Sequence, residues 1–163
     1  MLSSKEMGAS KVLTIGTFDL LHIGHIELFH WMKRFGNEML VGVNADKFVQ
    51  TFKNAPFQNY SQRCKNINRI FDCTIYKNNS SGKDLILKLN PDVLVVGMDW
   101  ASDKYFDQIN MSPEEFNQYN IALVFVPRTT GVSSSQLYSP MRSRLSRKDK
   151  EQGASTDVEC RRP

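Results

Sequence analysis

Lys11-Val12-Leu13-Thr14-Ile15-Gly16-Thr17 runs straight into Phe18-Asp19-Leu20-Leu21-His22-Ile23-Gly24-His25. The first stretch is a short apolar run that ends at a glycine, which predicts a buried strand. Over residues 24–35 the apolar side chains Ile26, Phe29, Met32 and Phe35 recur three apart. That spacing predicts a helix with one apolar stripe. Gly36-Asn37 is a helix stop. A buried strand, a glycine-bearing turn and a helix in this order begin an alternating α/β chain.

The rest of the chain continues the alternation. Met39-Leu40-Val41-Gly42-Val43 is too short for a helix and predicts a second buried strand. Residues 46–59 are irregular. A helix is predicted over 60–71, with Ile67, Ile70 and Phe71 inward, and a strand over 73–76. A helix over 81–89, with Leu85, Ile86 and Leu89 inward, stops before Pro91 because the residue preceding a proline avoids helical geometry. Val93-Leu94-Val95-Val96-Gly97 is continuously apolar, as in a strand covered on both faces. Ser112-Pro113-Glu114-Glu115 is a helix-start signal. A last strand is predicted over 121–126 and a short helix from Ser133, interrupted at Pro140. Alternating strands and helices imply an α/β fold: a parallel sheet with helices on both faces. Ligands of such sheets sit beyond the carboxyl ends of the strands, where strand order switches. Chemistry is therefore expected just after Ile15, Val43, Val96 and Val126.

At 163 residues, 40% hydrophobic and 23% charged, the chain suits one soluble domain. That domain is expected over 11–145, after a mobile stretch over 1–10 and before a disordered basic tail over 146–163. No apolar run is long enough to span a bilayer, and the start lacks a secretory pattern. No stable membrane insertion is expected. The three cysteines, Cys64, Cys73 and Cys160, are odd in number and form no C-x-x-C pair. That argues against a disulfide framework and for a reducing cytoplasm. Of the net charge of +4, +3 lies from Met141 onward, so the folded part is nearly neutral and no nucleic-acid partner is expected.

His22-x-Gly24-His25 is the strongest chemical signal. Glycine lets a large anion approach the backbone, and the start of a helix offers unpaired N–H groups at the positive end of its dipole. Two imidazoles there can donate hydrogen bonds to charge growing on a phosphoryl group. Zinc is the rival reading. However, no third histidine, cysteine pair or carboxylate stands at ligand spacing, and His30, five residues beyond His25, is off its face. No metal site built of protein side chains is expected. The second signal is Arg128-Thr129-Thr130-Gly131-Val132-Ser133-Ser134-Ser135, where a guanidinium fork, a glycine turn and hydroxyls open the last helix. Alone it reads as a turn and a cap; with the histidine motif it reads as a second phosphate-holding element.

Gly16-Thr17-Phe18-Asp19-x-x-His22-x-Gly24-His25, followed far downstream by Arg128-Thr129-x-Gly131-Val132-Ser133-Ser134, resembles the cytidylyltransferases of the nucleotidyltransferase superfamily. The likeness runs from about Lys11 to Leu137. Lys53-Asn54-Ala55-Pro56 resembles that family's lysine loop, Gly97-Met98-Asp99-Trp100 its Gly-x-Asp-Trp element, and Tyr60-Ser61-Gln62-Arg63 the start of its next helix. The resemblance implies a Rossmann-like fold of nucleotidyltransferase type and transfer of CMP from CTP to a small phosphorylated alcohol. The reaction would be a direct in-line displacement releasing pyrophosphate, with Mg2+ accompanying the triphosphate. It implies catalytic roles for His22, His25, Lys53 and Arg128. It implies nucleotide contacts at Gly16, Thr17, Phe18, Asp19, Gly24, Gly97, Asp99, Thr129, Gly131, Val132, Ser133 and Ser134, and acceptor contacts at Arg63 and Trp100. A homodimer is implied too; Phe52, Phe57 and Tyr60 read either as its interface or as core.

The chain departs from the family pattern in the absence of glycine after Lys53, in Met98, and in Pro140 within the last helix. Residues 101–120 are long for a connection and read as a lid or acceptor-site wall. Two other functions fit the motifs: an adenylyltransferase acting from ATP on a flavin-like phosphate, and a nucleotide-binding module without turnover.

Overall fold

The computed structural model describes residues 10–98 and 103–127. The expectations for residues 1–9, for the helix from Ser133 and for the 146–163 tail lie outside them. The described elements are β1 (Lys11–Gly16), α1 (Ile23–Phe35), β2 (Glu38–Asn44), α2 (Asp46–Val49), α3 (Tyr60–Ile70), β3 (Thr74–Asn78), α4 (Lys83–Leu89), β4 (Val93–Gly97), α5 (Asp103–Ile109), α6 (Pro113–Gln118) and β5 (Ala122–Val126). The strands form one parallel five-stranded sheet in the order β3-β2-β1-β4-β5. The order reverses at β1, so the switch point lies between β1 and β4.

Strand β1 pairs with β2 at six positions, Lys11↔Glu38 to Gly16↔Val43. With β4 it pairs only at Val12↔Val93 and Leu13↔Leu94. The two central strands therefore stay together at their amino ends and lose pairing toward their carboxyl ends, opening a crevice at the switch point.

Side chains of successive strand residues go to opposite faces, and both faces are covered. Val12, Met39, Val41, Val43 and Val95 pack with Phe29 and Met32 of α1 and Ile67 of α3. Leu13, Leu40, Leu94 and Val96 pack on the other face with Ile86 of α4, Tyr105 and Ile109 of α5, and Phe116 of α6. Gly42 is what lets α4 come close: a Cβ there would stand 2.7 Å from Leu85 Cδ2 and 3.0 Å from Ile15 Cγ1.

Two sequence expectations are corrected. Ile70 does not face inward but is 49% exposed; α3 instead buries Arg63 and Ile67, four residues apart on one face. The described part of the 101–120 stretch is not a lid. It holds α5 and α6, whose Tyr105, Ile109 and Phe116, with the connecting Met111, complete one layer of the core.

Candidate active site

Beyond Gly16 the chain makes a tight turn in which two non-glycine residues take left-handed backbone geometry, Phe18 at φ 53° and Leu20 at φ 49°. Such residues persist only where their surroundings fix them, and they concentrate at functional sites. The buried Phe18 ring folds back over Gly16, where an added Cβ would lie 2.9 Å from the ring. Between the two strained residues, Asp19 turns inward. Its carboxylate accepts hydrogen bonds from Phe57 N at 2.6 Å and Gln58 N at 3.0 Å. Asp19, expected at the nucleotide, thus ties the β1 turn to the segment that carries Lys53.

Helix α1 begins with a capping box made of histidines. Gly24 N donates to His22 Nδ1 at 3.1 Å, and His22 N donates to His25 Nδ1 at 3.4 Å. A neutral ring whose Nδ1 accepts carries its proton on Nε2. The cap therefore selects, for both rings, the tautomer that donates from Nε2. The rings stack with centroids 3.9 Å apart, and Phe18 meets the edge of His25 at 5.6 Å. Burial, then His22, then the Lys53 charge push the His25 pKa down to about 3. His25 is accordingly a neutral donor at physiological pH.

Lys53 lies on the exposed turn after α2. Partial burial of its amine lowers its pKa; the Asp19 carboxylate opposes that and the Arg63 guanidinium adds to it. Its charge thus acts on His25, and the Asp19 charge acts on it in turn. Gly97 ends β4 beside the crevice, and a Cβ there would meet nothing within 4 Å, so the space next to it is open. Gly97 pairs with Val126, so the chain leaves β5 at this same edge of the sheet.

Arg63 is a correction. Expected to touch the acceptor, it is 0% exposed and its donors go to protein. Nε bonds to Gln58 O at 3.1 Å, Nη1 to Thr17 O, and Nη2 to Asn44 O at 2.7 Å and to Asp46 Oδ1 at 2.6 Å. The exposed aromatics Phe52 and Phe57 and the half-buried Tyr60 lie along the same 52–60 segment. Asp99, Trp100, Arg128, Thr129, Gly131, Val132, Ser133 and Ser134 lie outside the described residues.

Sequence reasoning missed Asn44, Asp46 and Gln58. Asp46 accepts from Tyr60 N at 3.1 Å as well as from Arg63, and Gln58 Oε1 accepts from Leu20 N at 3.2 Å. The expectation of chemistry just beyond Val43 was the available signal for the first two. Among the described residues, no group of three or more His, Cys, Asp or Glu side chains could hold a metal ion. Nor is any described helix long and apolar enough to cross a membrane.

A helix start carrying two Nε2–H donors, a nearby ammonium and an open crevice at a switch point can bind a phosphate chain and stabilise charge on it. Residues 13–138 match the cytidylyltransferase-like family. Glycerol-3-phosphate cytidylyltransferase of Bacillus subtilis (strain 168) is 32% identical over 130 residues, covering 78% of this chain and 93% of that protein. FAD synthase of Thermococcus sibiricus (strain DSM 12597 / MM 739) is 31% identical over 115 residues, 68% of this chain and 74% of that one. A solved structure described as the lipopolysaccharide core biosynthesis protein from Thermoplasma volcanium GSS1 shares the fold, with a TM-score of 0.60 at 23% identity over 77% of this chain and 100% of that one. With its capped histidine pair at the β1–α1 junction, the chain belongs to the cytidylyltransferase-like family and is a nucleotidyltransferase.

Proposed function

We propose that the enzyme transfers CMP from CTP to a small alcohol phosphate of the glycerol 3-phosphate kind. A phosphate oxygen of the acceptor attacks the α-phosphorus of CTP, the bond from that phosphorus to the bridging oxygen breaks, and pyrophosphate leaves. The products are the CDP-alcohol and pyrophosphate. Catalysis is positioning and charge stabilisation, with no covalent enzyme intermediate. His22 and His25 donate to the oxygens on which charge grows. Lys53 and Arg128, with Thr129, Ser133 and Ser134, hold the phosphates, and Gly24 and Gly131 allow the backbone close to them. Gly97 and Asp99 border the nucleoside, and Trp100 the acceptor. Mg2+ supplies neutralisation of the triphosphate and is carried in by the nucleotide; the Asp19 carboxylate is already engaged by two backbone N–H groups. The enzyme works as a homodimer in the cytoplasm.

The observation that carries this reading is the 32% identity to a glycerol-3-phosphate cytidylyltransferase along 93% of that protein. The likeness to FAD synthase supports the second reading, adenylyl transfer from ATP. A pyrophosphate-release screen separates the two, with CTP, ATP, GTP and UTP each offered glycerol 3-phosphate, other alcohol and sugar phosphates, and FMN. Release with CTP and an alcohol phosphate is expected, falling about 100- to 1000-fold in His25→Ala. Release only with ATP overturns the cytidylyl reading, and nucleotide binding without release for any acceptor makes the chain a binding module.

A further inference from the structure

Arg63 is the largest fully buried side chain among the described residues. An arginine is almost never fully buried unless it is paired, and a buried ion pair is weak evidence for stability, since apolar side chains of similar volume often serve as well. The partners here share one feature. Thr17 belongs to the strained β1 turn, Asn44 ends β2, Asp46 opens α2, and Gln58 closes the segment that carries Lys53. All four belong to the chain that leaves the carboxyl ends of β1 and β2.

We propose that Arg63 is a positioning residue for nucleotidyl transfer: its guanidinium sets the Thr17–Phe18 peptide and the Lys53 segment in register with the histidine pair. The inference rests on the transferase reading of the site. Nη1 draws the Thr17 carbonyl toward the guanidinium. In a planar trans peptide the C=O and the next N–H point in opposite directions, so the Phe18 N–H is turned away from Arg63. That N–H makes no hydrogen bond among the described residues. It stands on the turn that leads from β1 to the imidazoles. The same guanidinium holds Gln58 by its carbonyl, and Gln58 holds Leu20 by its side chain. Both left-handed residues are therefore fixed from one cation, Phe18 through the carbonyl before it and Leu20 through Gln58. Asp46, whose side chain is 35% exposed, orients the cation from its outer side.

The test compares Arg63→Lys and Asp46→Asn with the parent. It uses the folded fraction from thermal melts, 1H–15N imidazole spectra of the ligand-free protein, and kcat and KM in pyrophosphate release. Lysine keeps the charge and loses the fork. Arg63→Lys is expected to lose about 100-fold in kcat per folded molecule, the scale of an ångström misplacement, with KM for nucleotide changing far less. The His22 and His25 resonances should move in the ligand-free spectrum. Asp46→Asn, which spares the fork, should move the same resonances and lower kcat by about tenfold. Methylguanidinium added to Arg63→Ala should restore part of the loss. Unmoved resonances with kcat per folded molecule within twofold of the parent overturn the proposal; so does a fall in kcat with unmoved resonances, which makes Arg63 act on substrate directly. If Arg63→Lys does not fold, Asp46→Asn decides by the same two readouts. If no nucleotide is turned over by the parent, the transferase reading fails, and the imidazole spectra still decide whether Arg63 sets the histidine pair.

Discussion

Gly24→Ala sets two effects of known size against each other at one atom. Gly24 is the second residue of α1, and its N–H makes the cap bond to His22 Nδ1 at 3.1 Å. An alanine Cβ would stand 3.0 Å from both Cε1 and Nδ1 of His22, inside the ordinary contact distance of about 3.5–4.0 Å. The His22 ring must give way, and it stacks on His25 at 3.9 Å, so both donors shift. Loss of a cap bond costs about 0.5–2 kcal/mol, while alanine in place of glycine favours a helix by about 0.8–1 kcal/mol. The two nearly cancel, and the melting temperature should stay within a few degrees of the parent. The donors receive no such compensation: a donor moved by several tenths of an ångström to an ångström costs on the order of 100-fold in rate. The expected result is therefore a folded protein with kcat down about 100-fold. Pyrophosphate release and a calorimetric melt on the same preparation check it. A folded Gly24→Ala protein with kcat within threefold of the parent would refute the claim that the histidine cap sets the catalytic geometry.

Two further outcomes follow from other parts of the fold. Burial, then His22, then the Lys53 charge hold the His25 pKa at about 3, below its ordinary 6.5, so between those values the unfolded chain binds the proton more readily than the native one. Stability should thus fall as pH drops from about 6.5 toward 3, and urea melts at pH 7 and pH 5 should show a shallower pH slope in His25→Gln than in the parent; equal slopes would contradict the lowered pKa. Gly42→Ala should destabilise by about 1–3 kcal/mol through overpacking against Leu85 and Ile15, yet leave kcat per folded molecule unchanged, because it touches the α4 side of the sheet and not the crevice. A fall in kcat as large as that of Gly24→Ala would mean that the two faces of the sheet are coupled.

The strands and the β1–α1 junction were legible because they are local. Val93 to Gly97 is apolar throughout, as a strand covered on both faces must be, and the histidine motif sits where a strand and a helix meet. What could not be read was settled by partners distant in sequence. Ile70 follows Ile67 by three residues and fits an apolar stripe, yet the face of α3 that meets the sheet is the one carrying Arg63 and Ile67. Arg63 reads as a surface charge because nothing near it announces four acceptors. They arrive from segments 5, 17, 19 and 46 residues away. The left-handed Phe18 and Leu20 contradict local preference, which would choose glycine or asparagine there. Residues 101–120 looked like an insertion because their apolar side chains are spread over two short helices. Only the sheet face beneath Tyr105, Ile109 and Phe116 shows why they are needed.

The histidine cap also explains why the donors should be neutral. Protonating Nδ1 of His25 would replace the acceptor of the His22 N–H with a second donor, opening the capping box that begins the helix. A cationic imidazole would attract the triphosphate strongly, but it would attract bound substrate and departing pyrophosphate alike, and binding that is equal in ground and transition states does not raise kcat. A neutral Nε2–H gives little to a distant charge and more as negative charge builds on an oxygen within hydrogen-bond reach, which concentrates its effect in the transition state. Under the proposed function the fixed positive charge falls to side chains that hold the phosphates rather than to the rings, and Lys53, to which that role is assigned, is also a charge that helps keep His25 neutral.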